Sequence, residues 1–254
     1  MITAPIYQAM RRALLNESVI HGDETTLQVL KEPDKKAQSK SYLWAYSSPE
    51  HSLTPVVLFE YQPGRVHTYP KVFLDGYAGT IMTDGYSAWR MLDNMTHLGC
   101  WAHARRKFKD ALDLSPKKSG QAKQALSYIQ KLYAIEKKAL SLSAAERHAM
   151  RQKESIPILG AFHDWLNKAA AKLLPQSPMG KAVSYALKQW VYLEKYVDDG
   201  EYPIDNNRVE RDIRPVATGV EPYAYRRHVL TELPQREAGC DASDLLPYSN
   251  TPVQ

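Results

Sequence analysis

Cysteine is almost missing from this chain: Cys100 and Cys240 are the only two among 254 residues, and they lie far apart. That usage excludes a disulfide scaffold and suits a reducing compartment. Long apolar runs are also absent, with nothing approaching the ~20 residues that a membrane span needs, so no membrane partner is expected. The opening Met1-Ile2-Thr3-Ala4-Pro5 lacks the basic, apolar, small-residue order of a secretory signal, and a cytoplasmic location is expected. No internal repeat is evident.

What is present has a globular balance. Hydrophobic residues make up 44% and charged residues 24%, and a chain of this length can bury a full core. A net charge of +5 and a pI near 9.0 favour a polyanionic partner, although many ordinary proteins share that balance. Its distribution says more. Between Ser115 and Lys153 nine Lys or Arg face two acids, Glu136 and Glu146, a local charge of +7. A cationic stretch of that density meets phosphate or water.

Periodicity predicts a lead-in helix over 5–16, a strand rich in Val, Ile and Thr over 18–30, and a turn or hairpin loop over 31–41. Strands at 42–47 and 56–61 complete a three-stranded antiparallel meander. A helix around 69–77, a fourth strand over 80–84, a short strand at 96–100 and a helix over 101–112 follow. Long helical stretches at 121–142, 144–154, 160–174 and 180–198, broken by proline and glycine, form an α-helical insert. Asp205 is the expected N-cap of a helix running through Glu210 to about Arg214. The tail over 234–254 has turn residues and no strong period. Three strands, a helix, a fourth strand and a later helix is the order of an RNase H-like α/β fold, a mixed sheet flanked by helices. In that plan the first and fourth strands are neighbours. The expected divisions are 1–114 and 200–233 for the two parts of the core, 115–199 for the basic helical insertion, and 234–254 for the tail.

Three segments place acids where chemistry could use them. In Val19-Ile20-His21-Gly22-Asp23-Glu24-Thr25 two acids sit inside a stretch suited to a buried strand. An ionised carboxylate there must be paired or bound to metal, unless the strand is an edge strand with a solvated acid. In Thr80-Ile81-Met82-Thr83-Asp84-Gly85-Tyr86 an Asp ends a strand, although Asp-Gly is by default a turn pair. In Asp205-Asn206-Asn207-Arg208-Val209-Glu210-Arg211-Asp212-Ile213-Arg214, helical spacing puts Asn206, Glu210 and Arg214 on a polar side. Val209 and Ile213 make an apolar side. The plainer reading is an exposed amphipathic helix whose Glu210 pairs with a nearby base for ~0.5 kcal/mol.

Together with Gly99-Cys100-Trp101-Ala102-His103-Ala104-Arg105-Arg106-Lys107-Phe108, these segments resemble the transposase family of insertion sequence sixty-six, in the family's order and across residues 5–219. The resemblance implies an RNase H-like core with a helical insertion before the last acid. It assigns a catalytic, metal-binding Asp-Asp-Glu set to Asp23, Asp84 and Glu210, and it prefers Asp23 over Glu24, which alternation could not do. The cofactor implied is two Mg²⁺ or Mn²⁺ ions, about 4 Å apart, clamping an in-line displacement at phosphorus. Asp23 would bridge both ions, with Asp84 and Glu210 holding one each. Hydrolysis at an element end and joining of the freed 3′ end to target DNA would use one site, with no covalent protein intermediate. DNA is thus the expected partner, as transposon ends and target, with a homo-oligomer in a synaptic complex and accessory proteins of the element.

Candidate DNA contacts are Arg105, Arg106, Lys107 and Lys109 on one helix, and Asn206, Arg208, Arg211 and Arg214 on another, although a solvated face explains such residues almost as well. Cys100 and His103 have the spacing of half a zinc site, but a structural zinc takes four ligands and no second pair is evident. Trp89, Trp101 and Trp190 suit a core better than a base-stacking platform. Two departures from the family bear on activity. Relatives continue past Gly219 with an Arg-Lys-Asn-Trp segment and another helix before a Pro-Tyr stretch, whereas here Gly219 runs into Val220-Glu221-Pro222-Tyr223. A helix missing beside Glu210 would loosen that acid, and ~1 Å of misplacement can cost ~100-fold in rate. The amino-terminal DNA-recognition region of full-length relatives is also not found here, and element-end specificity is expected to be missing with it. The competing readings are a catalytically dead DNA-binding remnant and a tyrosine recombinase using Tyr223 or Tyr225, which leaves the three acids without a task.

Overall fold

The computed structural model describes residues 4–28, 39–114 and 120–217. The expected loop over 31–41 falls largely outside them, as do Gly219, Tyr223, Tyr225 and the tail over 234–254. Contacts divide the chain into two compact units: the described parts of Met1–Ile81, Tyr86–Thr96 and Asn207–Gln254, and the segments Met82–Gly85 and His97–Asn206.

Helix α1 (Ala4–Leu15) leads into the meander β1 (Val19–Gln28), β2 (Lys40–Ser47) and β3 (Val57–Gln62), followed by α2 (Thr68–Phe73), β4 (Thr80–Thr83), α3 (Ser87–Arg90) and β5 (Thr96–Gly99). The five strands form one mixed sheet in the order β3-β2-β1-β4-β5, flanked by helices. Both meander pairs are antiparallel. Helix α2 is shorter than periodicity predicts, because the chain leaves it through Gly76 at φ +83°, a left-handed conformation that glycine adopts without strain.

Register decides what each face of the sheet carries. Gly22 pairs with Tyr46, Asp23 with Ala45 and Glu24 with Trp44, and directly paired residues share a face. Trp44 and Tyr46 belong to the core of the first unit, with Ile20, Phe73, Ile81, Trp89 and α1 residues Ile6, Met10 and Leu14. Gly22 is required there: a Cβ at that position would meet the Trp89 ring at 2.7 Å. The opposite face holds Ala45, which packs with Phe59 and with Val209 and Ile213 of α9 (Asn207–Ala217).

The second unit is helical: α4 (Trp101–Asp113), α5 (Gly120–Lys138), α6 (Ala144–Met150), α7 (Ile156–Ala170) and α8 (Pro178–Leu193). Trp101, Phe108, Phe162 and Trp190 fill its core, with Trp101 and Trp190 edge to face at 5.8 Å. Helices α6 and α7 are joined by a π-helical turn, Arg151–Ser155, instead of being separated by a break at Pro157. The wider turn absorbs a proline whose missing N–H removes one helical hydrogen bond. It also carries Arg151 into the interior. That guanidinium is 2% exposed, binds Glu136 through Nε at 2.9 Å and Nη2 at 2.6 Å, and donates to the carbonyls of Tyr196 and Tyr202. Arg147 likewise donates to the carbonyls of Ala139, Leu142 and Gly200. Two of the nine cations counted between Ser115 and Lys153 are therefore committed to partners within the protein, Arg151 buried and Arg147 partly so. No helix among the described residues is long and apolar enough to cross a membrane.

Candidate active site

The two neighbouring acids of β1 have different fates because they point to opposite faces. Glu24 shares the Trp44 face, and its side chain is fully buried. Arg65 Nε donates to its Oε1 at 2.8 Å, Arg65 Nη2 binds the same oxygen, and the Trp89 indole donates to Oε2 at 2.6 Å. Both oxygens are thus committed to structure, as a buried carboxylate requires. Arg65 is itself held by stacking on the Tyr86 ring at 3.6 Å, and the Tyr86 hydroxyl donates to its carbonyl. Asp23 is half-buried on the other face, the one α9 covers, and its Oδ1 accepts the Glu24 N–H at 2.9 Å.

Glu210 stands in the first turn of α9, half-buried. The helix forms because Val209 and Ile213 give it one apolar edge, 0% and 7% exposed against Ala45 and Phe59. Each such burial contributes ~1.5–3 kcal/mol. A polar clamp lies beside it: Ser47 Oγ donates to Asp212 Oδ2 at 2.7 Å, Arg208 Nε donates to Ser47 Oγ at 3.4 Å, and Arg208 and Asp212 pair at 3.3 Å. Residues from β2 therefore fix both the height and the roll of the helix that carries Glu210.

Asp84 lies one residue beyond β4, which ends at Thr83, one position short of the expected 80–84. Its strand neighbours β1 in the sheet order. The Asp84 side chain is half-buried.

Helix α9 begins at Asn207, so Asp205 is not the residue that opens it. The Asp205 carboxylate instead accepts the Tyr133 hydroxyl at 2.7 Å. Burial, reinforced by the Asp205 charge, raises the Tyr133 phenol well above its ordinary pKa. The approach to α9 is tied down twice more: Trp101 N–H donates to the Ile204 carbonyl, and Asn206 N–H donates to Cys100 Sγ at 3.2 Å. Asn206 is fully buried, which removes it from the set of phosphate-facing residues. Cys100, 2% exposed, serves as a small buried acceptor.

Of the candidate cations, Arg105, Arg106, Lys107 and Lys109 are exposed along α4. Lys107 sits 5.6 Å from the centre of the Tyr185 ring, and Lys109 pairs with Asp113 at 2.6 Å. Arg208 is engaged in the clamp, Arg211 pairs with Glu50 at 3.0 Å on the surface, and the side chain of Arg214 lies outside the described residues. Trp89, Trp101 and Trp190 are core residues. Sequence reasoning missed Arg65, Ser47 and Asp212; only the Arg208–Asp212 pair had a local signal, its i, i+4 spacing.

Residues 2–223 match the family model described as Transposase IS66 family. The chain is also similar to three curated proteins of Sinorhizobium fredii. Uncharacterized protein y4qI is 29% identical over 277 aligned residues, taking in 92% of this chain and 51% of the relative. For uncharacterized protein y4hP the values are 28% over 236 residues, 85% and 42%. Uncharacterized protein y4jD is 29% identical over 226 residues, 84% and 44%. The chain thus spans about half the length of the curated relatives it matches. No solved structure matches it.

Proposed function

Because the chain belongs to the IS66 transposase family, we propose that it is the catalytic core of a DNA transposase, cutting and rejoining strands with divalent metal held by Asp23, Asp84 and Glu210. The observation that carries this reading is the partition of the β1 acids: Arg65 and Trp89 take Glu24, while Asp23 faces the side that α9 covers. An RNase H-like assignment is supported by the strand order β3-β2-β1-β4-β5, which makes the strands leading to Asp23 and Asp84 neighbours.

The donor chemistry fits the group the family implies, since three carboxylates offer the hard oxygens that Mg²⁺ or Mn²⁺ prefers. When bound, such ions lower the pKa of an attacking water or 3′-hydroxyl and offset charge on the departing oxygen. The chain's own residues supply placement. The Glu24 N–H holds one Asp23 oxygen, Ser47 and Arg208 hold the α9 backbone through Asp212, and Tyr133 anchors the segment before it. Arg105, Arg106 and Lys107 are the proposed phosphate contacts, acting on transposon ends and target DNA. Synapsis of two ends by a homo-oligomer in the cytoplasm, with accessory proteins of the element, completes the proposal.

A second reading, a catalytically dead DNA-binding remnant, is favoured by one observation. The alignment with y4qI is longer than this 254-residue chain, so that relative carries residues with no counterpart here. A deletion after Gly219 accounts for such a difference and would leave Glu210 less firmly held. Calorimetric titration with Mn²⁺ and nicking of supercoiled plasmid test both readings. The active core binds Mn²⁺, loses that binding in Asp84→Ala and nicks only with metal. Salt-sensitive DNA retention with no metal-dependent nicking identifies the remnant. A titration unchanged by Asp84→Ala sinks the metal site.

A further inference from the structure

The segment carrying Asp84 belongs to the helical unit, whereas Asp23 and Glu210 belong to the unit built on the meander. Within the helical unit, α8 lies directly on the turn that follows the acid. A Cβ on Gly85 would stand 3.0 Å from Gln189 Cδ and 3.0 Å from both Cε2 and Oη of Tyr185. A methyl group there would be in tight contact with both side chains, which would have to give by a few tenths of an ångström, so Tyr185 and Gln189 lie directly against the Gly85 backbone. One helical turn later α8 takes the end of β5 in the same manner: a Cβ on Gly99 would lie 3.0 Å from the Leu193 nitrogen, and the Trp101 indole donates to the Leu193 carbonyl at 2.8 Å. Met82, two residues before Asp84, is buried with Leu98 and Cys100. The residues flanking the acid are therefore packed, Gly85 against α8 and Met82 against Leu98 and Cys100.

We propose that Tyr185 and Gln189 are positioning residues for Asp84, so that the helical insertion sets the placement of the second acid in addition to any DNA contact it makes. On the reading of Asp84 as a metal-binding acid, their task is to keep its carboxylate where a cation can use it. Lys107 lies over the same Tyr185 ring, which ties an exposed cation of α4 to the same support. Residues that support a metal ligand without touching the metal typically cost about 10- to 100-fold in affinity when removed.

The test is Mn²⁺ affinity by calorimetry on the full chain, with Asp84→Ala, Tyr185→Ala, Tyr185→Phe, Gln189→Ala and Gly85→Ala alongside wild type. Tyr128→Ala is the control, since Tyr128 stacks on Phe162 at 4.9 Å in the same unit's core. Expected are an affinity about 10-fold weaker in Tyr185→Ala and in Gln189→Ala, near-complete rescue in Tyr185→Phe, which keeps the ring, and no change in Tyr128→Ala. Should Tyr185→Ala not fold, Gln189→Ala and Gly85→Ala carry the same expectation. Wild-type affinity in the Tyr185, Gln189 and Gly85 variants, with binding abolished in Asp84→Ala, overturns the positioning role and leaves the metal site standing. Equal weakening in Tyr128→Ala overturns it too, by reducing it to general stability. Binding that survives Asp84→Ala overturns the metal reading and the positioning role together.

Discussion

Replacing Arg65 with alanine is the sharpest probe of how β1 distributes its charge. The Glu24 side chain is fully buried, whereas that of Arg65 is 36% exposed. Removing the cation leaves Oε1 without its two guanidinium donors, while Oε2 keeps the Trp89 indole. Breaking a fully buried pair costs ~3–5 kcal/mol. Water entering where the half-exposed arginine stood reduces that to roughly 2–3 kcal/mol, scaled from the same buried-pair value. Loss of the guanidinium from the Tyr86 face adds ~0.5–1 kcal/mol, for a total near ~3 kcal/mol. In urea, with m about 2 kcal/mol/M, the midpoint should fall by about 1.5 M at unchanged m. The companion Glu24→Gln removes the charge that Arg65 serves. The double variant should then be less destabilised than the two singles combined, by ~1 kcal/mol or more. A loss under ~0.5 kcal/mol in Arg65→Ala, or strict additivity in the double, would refute the assignment of Glu24 to structure.

Two further outcomes follow from buried polar groups. Arg151→Ala should cost ~3–5 kcal/mol, because it strands Glu136 and several carbonyls around the π-helical turn; a thermal melt within a degree or two of wild type would contradict that. Tyr133 has a pKa raised by burial first and by Asp205 second. Its folded pKa therefore lies above the unfolded value of 10.0, so its contribution is whole below that pH and drains away as pH climbs beyond it. Stability measured from pH 9 upward should fall more steeply in wild type than in Tyr133→Phe, and parallel curves would show that the phenol is not the titrating group.

Much of the architecture was legible in the sequence for simple reasons. The β-branched run at Val19 and Ile20, the aromatic alternation of Trp44 and Tyr46, and the i, i+4 spacing of Val209 and Ile213 are local patterns, and each built the element it predicts. What stayed hidden depends on residues distant in sequence. Alternation does not separate Asp23 from Glu24, and the family resemblance that prefers Asp23 gives no physical reason; that reason is Arg65, forty-one positions beyond Glu24, which claims the Glu24 carboxylate. Arg151 looked like part of a solvated cationic face because nothing nearby announces that its charge is met by Glu136 and by carbonyls beyond Leu193. Helix α9 starts at Asn207, two residues past the expected Asp205, whose carboxylate accepts a hydrogen bond from Tyr133, seventy-two positions away and invisible to local pattern.

The close approach of Trp89 to Gly22 works as a mechanical stop. A slide of β1 by one position against its neighbours would drive His21 or Asp23 into the indole, where a bare backbone now just fits. A slipped strand, which would exchange the roles of its two acids, is thus blocked by bulk before any charge is felt. Enlarging position 22 by a single methyl should threaten the identity of the acid on each face sooner than it threatens the sheet.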